Sequence, residues 1–356
     1  MRQHKVAFFA AALGASAFAL SACSAGTTTP DAAATSGASE GTAETSEKPA
    51  NADTLVMKVA FNQPETHPQY IVMDELGDKL YEATDGAYDV EVFPNETLGA
   101  QRETIELVQA GTLEMAYVAG PLLENFNPDF VAFNLPFVFD SPEHQSETTN
   151  DPAIVGDLYD SLTDQGIKVI SAFHGGVRSV YNSEKPINTP EDLEGMKIRV
   201  IESDTNIEMM SLMGGTGTPM GQGEVYTAIQ SGVIDGGENN ELIYNGLKHD
   251  EVAPFYSYTR HLMFPDYLII SPAVYDAMTP EVQDIFQELL AEARVHEAEL
   301  WLEQVGEAKT NAEAAGATFN EVDSEAFAEA IAPLTASRLT SDTAKSLYDQ
   351  VRAAAE

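Results

Sequence analysis

Thr189-Pro190-Glu191-Asp192-Leu193-Glu194-Gly195-Met196-Lys197-Ile198-Arg199-Val200 opens the stretch on which the fold turns. Gly223-Glu224-Val225-Tyr226-Thr227-Ala228-Ile229-Gln230-Ser231-Gly232-Val233-Ile234-Asp235-Gly236-Gly237-Glu238-Asn239-Asn240 closes it. The first segment reads as a capped turn of helix feeding a short strand. Thr189 is the N-cap, Pro190 sits at N1, and Asp192 at N3 gives an acidic capping box. Gly195 ends the turn. Met196, Ile198 and Val200 alternate with Lys197 and Arg199, so Arg199 leaves the opposite face of the strand. In the second segment Val225, Ala228 and Ile229 mark one face of a short helix. Gly232 stops it, and Val233-Ile234 begin a strand leading into a polar Glu-Asn-Asn mouth. An arginine and an amide cluster, each at a strand end in an α/β pattern, suit a small anionic, hydroxylated ligand.

The same alternation runs outward from there. Strands are expected over Leu55–Phe61, Tyr88–Phe93 and Met115–Val118. Helices are expected over Tyr70–Ala83 and Ala100–Ala110. Such a pattern predicts a mostly parallel sheet with helices on its faces. Ile167–Phe173 is a further strand, broken at His174-Gly175-Gly176 before a new one at Val177–Tyr181. From glycine alone the break is either a hinge between two lobes or a simple turn. A second crossing is expected near Phe264-Pro265, before a strand Tyr267–Ile270. A long helix starts at Thr279-Pro280, carries the single Trp301 and extends to about Ala315.

The chain has 356 residues, enough for two lobes with separate cores. Lys plus Arg number 18 against 57 Asp plus Glu, a net charge of −39. That argues against nucleic acid or anionic lipid as a partner, since both need a basic face. The N-terminus reads as a targeting segment. Arg2, His4 and Lys5 form a basic region, Val6 to Leu20 an apolar one, and Leu20-Ser21-Ala22-Cys23 a lipobox. Cys23 is the only cysteine, so no intrachain disulfide is possible. Residues 24 to 53 contain no Leu, Ile, Val, Met or aromatic side chain. They cannot bury apolar area and read as a disordered tether from a lipid anchor. Residues 1–22 are thus a signal peptide and 23–53 the anchored tether, placing the folded part outside the cell membrane yet close to it.

Enzymatic chemistry finds little support. The seven histidines make no metal-ligand spacing. Gly37-Ala38-Ser39-Glu40-Gly41 matches a nucleophile elbow but lies in the tether, without a strand before it or a helix after it. Gly214-Gly215-Thr216-Gly217 lacks the third glycine of a dinucleotide fingerprint. No cofactor or metal is expected.

Taken in order, several short motifs resemble the extracytoplasmic solute-binding subunit of TRAP (tripartite ATP-independent) transporters. They are Val92-Phe93-Pro94 with Leu98-Gly99, Gly111-Thr112-Leu113-Glu114-Met115, Leu135-Pro136-Phe137, Gly176-Val177-Arg178, and the stretch quoted at the outset. The resemblance spans about residues 54 to 330 and implies a two-lobed, periplasmic-binding-protein-like α/β fold. It favours the hinge at Gly175-Gly176 and implies that the long helix bridges both lobes. Lobe I would be 54–176 with about 265–305, and lobe II 177–264 with about 306–356. It also implies delivery of ligand to a membrane permease driven by an ion gradient.

The expected ligand residues follow. On chemistry alone Arg199 is either a structural ion pair or a carboxylate grip. The resemblance places the family's carboxylate-binding arginine at Arg199 and a second arginine at Arg178. Asn239 matches a ligand-contacting position, and Asn240 doubles it in the manner of the hexuronate-binding branch, although Glu241-Leu242-Ile243 replaces that branch's Trp-Pro-Ser. Gln222 stands where many relatives carry an aromatic ring, which makes the pocket more polar. Tyr226 lies near it. The opposite lobe would contribute Asn62, Glu65 and His67, with Gln101 and Arg102 at a helix start. The expected ligand is a sugar acid such as glucuronate or galacturonate. Other readings are a C4-dicarboxylate carrier, an extracytoplasmic sensor, and a secreted carbohydrate-active enzyme with paired carboxylates.

Overall fold

The computed structural model describes residues 53–355, so the expectations for the leader, Cys23 and nearly all of the tether lie outside the described residues. The chain begins with β1 (Leu55–Ala60), α1 (Pro68–Ala83), β2 (Tyr88–Phe93), α2 (Gln101–Gln109) and β3 (Met115–Ala119). Two 3₁₀ turns follow, then α3 (Pro142–Thr149), α4 (Pro152–Asp160) and the long β4 (Lys168–Asn182). Next come β5 (Lys197–Val200), α5 (Asp204–Leu212), β6 (Thr216–Pro219), α6 (Val225–Gln230), β7 (Gly236–Asn239) and α7 (Glu241–Gly246). The chain ends with β8 (Phe255–Ile270), α8 (Pro272–Ala277), α9 (Pro280–Ala315), β9 (Thr318–Glu321), α10 (Ser324–Arg338) and α11 (Asp342–Ala354).

The strands lie in the order β2-β1-β3-β8-β4-β7-β5-β6, with β9 beside β8. Pairing within each lobe is parallel: β1 with β2 and β3, and β5 with β6 and β7. The seam between lobes is antiparallel, formed by β4 and β8 along their whole length. The lower half of β4 pairs with Pro265–Ile270, next to β3. Its upper half pairs with Phe255–Met263, next to β7 and β9.

The glycine break is therefore not a break. β4 passes through His174-Gly175-Gly176 as one strand, and its register against β8 shifts between His174 and Val177. A bulge of this kind bends a strand while keeping it paired. Gly176 has φ +80°, and a Cβ there would come within 2.5 Å of the Asn240 side chain and 2.7 Å of the Trp301 ring. His174 faces Pro265 across this bulge, so the two expected crossings are one place in the sheet.

Local chemistry fixes the other elements. The acidic capping box forms as read: Asp192 Oδ2 accepts from the Asn188 and Thr189 amides at 2.9 and 3.2 Å. The strand expected from Val233 starts later, at Gly236, and Val233 is exposed. Gly236 lies so close to β4 that a Cβ would sit 2.0 Å from the Tyr181 carbonyl oxygen. Helix α1 starts earlier than expected because His67 caps it, its Nδ1 accepting from the Gln69 amide, with Pro68 in the first turn.

Helix α9 has 36 residues, about 54 Å at 1.5 Å per residue. It joins two cores. Phe286 and Leu290 pack with Met57, Val72 and Leu76 of the first lobe, and Ala312 packs with Tyr181, Tyr244 and Tyr256 of the second. The C-terminal segment divides. Helix α10 packs on α5 of the second lobe, but α11 packs on α3, α4 and the turn Pro128–Phe133. Ala344, Leu347 and Val351 are its buried stripe. Residues 306–356 thus do not stay together on lobe II as expected, because α11 buries its apolar face on the first lobe.

Candidate functional site

A cavity of about 430 Å³, counting its mouth, opens where the two lobes face each other across the β4–β8 seam. The loop after β1 supplies Asn62, Gln63 and His67; α2 supplies Gln101. From the second lobe come Arg199 on β5, Gln222, Asn239 at the end of β7 and Asn240 just after it. The seam adds Gly175, Arg178, Phe264 and Asp266, and α9 adds Trp301.

The two arginines are in different states. Both are 4 % exposed. Arg178 Nε donates to Glu238 Oε2 at 2.5 Å and its Nη2 to Oε1 at 2.9 Å. Nη2 also reaches the Glu238 carbonyl at 2.7 Å, Nη1 reaches Asn239 Oδ1 at 2.9 Å, and the guanidinium lies over the Phe264 ring. Burial alone would push Glu238 up; Arg178 and His261 override it and hold the carboxyl at about 2. Burial likewise favours a lower Arg178 pKa, and the Glu238 charge reverses that to a rise.

Arg199 has no such partner. Its Nε and Nη2 donate to the Met220 carbonyl at 3.0 and 2.8 Å, and Nη1 to Gln222 Oε1 at 3.1 Å. Among the described residues it forms no ion pair with a carboxylate. Burial lowers its pKa, with Glu238 opposing and Arg178 reinforcing. Arginine remains charged regardless. A buried guanidinium held only by neutral acceptors is a strong attractor for an anion.

The amides divide in the same way. Asn239 Oδ1 accepts from Arg178 and from the Asn240 amide. Its Nδ2 lies 3.4 Å from Gln222 Oε1. Asn240 is fully committed: Oδ1 caps α7 by accepting from the Ile243 amide, and Nδ2 donates to the Gly175 carbonyl, both at 3.0 Å. It lines the cavity as a wall. Gln222 Nε2 and Gln63 Oε1, both buried, have no hydrogen-bond partner. Buried polar atoms are nearly always satisfied, so an orphan donor and an orphan acceptor on one cavity call for a polar occupant.

Burial keeps the nearby imidazoles neutral. It takes His67 down to about 3 and His174 to about 4, the latter opposed by Glu143. The Trp301 ring meets both edge-on, at 5.4 and 4.9 Å between ring centres.

Three expected residues are not at the cavity. Glu65 is exposed on the outer side of its loop, and Gln63 takes the inward place. Arg102 follows Gln101 by one position, a rotation of about 100° on a helix, and faces outward beside Glu106 and Gln109. Tyr226 turns away too, its hydroxyl donating to Glu251 at 3.2 Å. The residues not anticipated were Gln63, Glu238, Asp266, Trp301 and Phe264. Asp266 directly follows the Phe264-Pro265 crossing and Glu238 directly precedes Asn239, so adjacency to known features was the available signal.

Known proteins share this architecture. The family model described as bacterial extracellular solute-binding protein, family 7 (DctP), matches residues 59–342. A TRAP periplasmic solute-binding protein from Anaerococcus prevotii, solved with bound α/β D-glucuronate, superposes with a TM-score of 0.81 at 36 % identity. The match covers 84 % of this chain and 97 % of that one. A TRAP solute-binding protein from Xanthobacter autotrophicus with bound β-D-galacturonate gives 0.80 at 32 % identity, covering 83 % and 99 % of the two chains. The 2,3-diketo-L-gulonate-binding periplasmic protein YiaO of Escherichia coli is 30 % identical over 276 residues, 77 % of this chain and 84 % of YiaO.

Proposed function

The chain belongs to the extracellular solute-binding proteins of family 7, the solute-binding subunits of TRAP transporters, and from that premise we propose that it captures a hexuronate such as D-glucuronate or D-galacturonate. The carrying observation is Arg199, a buried guanidinium on the cavity wall without a carboxylate of its own. The ligand supplies that carboxylate. Arg199 grips it through its fork, with the free Nε2 of Gln222 beside it. Asn239, Asn62 and Gln63 meet the hydroxyls, and Trp301 and Phe264 give the sugar ring apolar faces. Arg178 acts differently from Arg199: its charge is matched by Glu238, and it positions Asn239. Glucuronate and galacturonate in the two structural relatives, and a sugar acid in YiaO's name, support this ligand class.

The lobes, divided at the bulge at residues 174–177, close over the ligand, and the closed form delivers it to the membrane permease subunits of the transporter. Cys23 anchors the chain by a lipid, so the folded part works outside the membrane at tether's length. The chain performs transport rather than catalysis and uses no cofactor.

Calorimetric titration of the soluble folded part tests the ligand class. D-Glucuronate or D-galacturonate is expected to bind at least tenfold more tightly than succinate or malate. The reverse order rejects the hexuronate. Fractionating cells that express wild type and Cys23→Ser tests the anchor: processed Ser variant that stays membrane-bound rejects it.

A further inference from the structure

One acidic residue lines the cavity, Asp266, and it stands in the half of the sheet opposite Arg199. Asp266 lies on β8 opposite Ala119 of β3 and Phe173 of β4, in the first-lobe half of the seam. Arg199 lies on β5, opposite Gly237 of β7. In the sheet β4 and β7 separate β8 from β5. Through Gly237 Arg199 is level with Tyr181 of β4, further along that strand than Phe173, and the two side chains reach the same cavity from its two ends. A ligand that Arg199 holds in this cavity therefore also meets the wall that carries Asp266.

That wall has no cation to offer. Asp266 Oδ2 accepts from Gln69 Nε2 at 3.0 Å, which also donates to the His174 carbonyl at 3.0 Å. No ion pair to Asp266 is found among the described residues. Arg178, the nearest positive charge, is held bidentately by Glu238. His67 and His174 are neutral. Arg102, the cation expected from sequence, faces outward. Burial raises the Asp266 carboxyl to about 6, with Gln69 and Arg178 opposing, so at pH 8 it is ionised. A hydroxyl at this end can donate to its second oxygen. A carboxylate there would face a like charge in a partly desolvated wall.

We propose that Asp266 sets the ligand class by rejecting a second carboxylate, so that the site takes uronic acids and excludes the aldaric acids of the same carbon skeleton. The inference rests on the hexuronate reading and adds to it the residue that enforces a single carboxylate. Galacturonate and galactarate make the comparison: galactarate carries a carboxylate at carbon 1 in place of the hemiacetal and is therefore an open chain, so the change in preference on Asp266→Asn, and not the wild-type preference alone, reads the charge.

Binding of both is measured by calorimetry at pH 8 for wild type and Asp266→Asn. Wild type is expected to prefer galacturonate by a hundredfold or more. Asp266→Asn is expected to narrow that preference at least tenfold, through tighter galactarate binding. The protein's overall negative charge repels the dianion in both forms and cancels from the comparison. An unchanged preference in folded Asp266→Asn overturns the proposal, as does wild type that binds both acids equally. If the variant does not fold, the mono-amide of galactarate on wild type replaces it, keeping the shape without the far charge. It is expected to bind at least tenfold more tightly than galactarate, and equal binding overturns the proposal. Wild type that binds no uronic acid rejects the hexuronate reading, and this inference with it.

Discussion

Arg178 and Glu238 form a two-pronged ion pair, at 2.5 and 2.9 Å, that is almost entirely out of water. The pair leaves the cavity with one uncompensated cation, Arg199, although two arginines line it. Removing one member of a buried pair strands the other. Glu238→Gln should therefore destabilise the fold by about 3–5 kcal/mol, the range for breaking a buried pair from one side. Urea denaturation at pH 7 reads it. A loss below about 1 kcal/mol would show that Arg178 finds solvent or another acceptor.

Gly176 is the second structural prediction. Its φ of +80° and the Asn240 and Trp301 atoms within 2.7 Å of any Cβ leave no room for alanine. The left-handed conformation alone costs a non-glycine residue about 1–2 kcal/mol. Gly176→Ala should lower Tm by at least several degrees and weaken ligand binding. Gly195→Ala is the control: it shares a positive φ but meets nothing within 4 Å. Equal losses in the two would mean that conformation, and not the seam contact, matters.

Acid sensitivity follows from the buried histidines. His67, His174 and His249 are depressed by burial to about 3, 4 and 3. Unfolded histidine takes up its proton near 6.5, so the unfolded state binds more protons between there and about 3. The histidine contribution to stability must then fall as pH drops through that window. Glu124 and Asp266, raised by burial to about 7 and 6, and Glu96, Glu241 and Glu297, also raised by burial, act in the opposite sense by binding protons in the folded state. The histidine share is therefore read by difference, against a variant that lacks one of them. Between pH 7.5 and 5, His249→Gln should lose less stability than wild type in urea denaturation, and an equal change in the two contradicts a buried neutral imidazole at His249.

A contact across the cleft predicts what ligand does to shape. The Gly223 amide of the second lobe donates to Glu96 of the first at 3.2 Å, at an exposed position. It is exchanged for water when the lobes part, so it does not hold the protein closed strongly. Ligand should supply the remaining stabilisation. Small-angle scattering is expected to give a smaller radius of gyration at saturating hexuronate than without it. Identical curves would remove the hinge argument.

Much of this fold was legible because its determinants are local. Pro190 and Asp192 mark a helical turn whatever surrounds it, and period-2 alternation put Arg199 on the face opposite Ile198. Only the family resemblance gave Arg199 its role. The seam was harder. His174-Gly175-Gly176 looks like a stop in sequence, and it is a bulge only because β8 runs alongside to keep it paired. That partner lies some ninety residues away (Pro265 opposite His174). The site had the same limit. Gln101 and Arg102 are equal in sequence, and the phase of α2 decides between them. Glu65 and Gln63 are likewise separated only by the turn after β1. Asp266 and Glu238 read as two of 57 acids until the strands bring them beside the arginines.

Arg199 bears the central claim, and its removal tests that claim most directly. Calorimetric titration of the better-bound hexuronate into wild type and Arg199→Ala is the measurement. Truncating one side of a buried charge contact costs about 2–5 kcal/mol. At 1.4 kcal/mol per tenfold, affinity should drop by roughly thirty- to several-thousandfold. Arg199→Lys should also bind poorly, because an ammonium cannot form the two-pronged contact. Circular dichroism confirms that each variant is folded. Wild-type affinity in folded Arg199→Ala would contradict the account, since the ligand's carboxylate would then be held elsewhere.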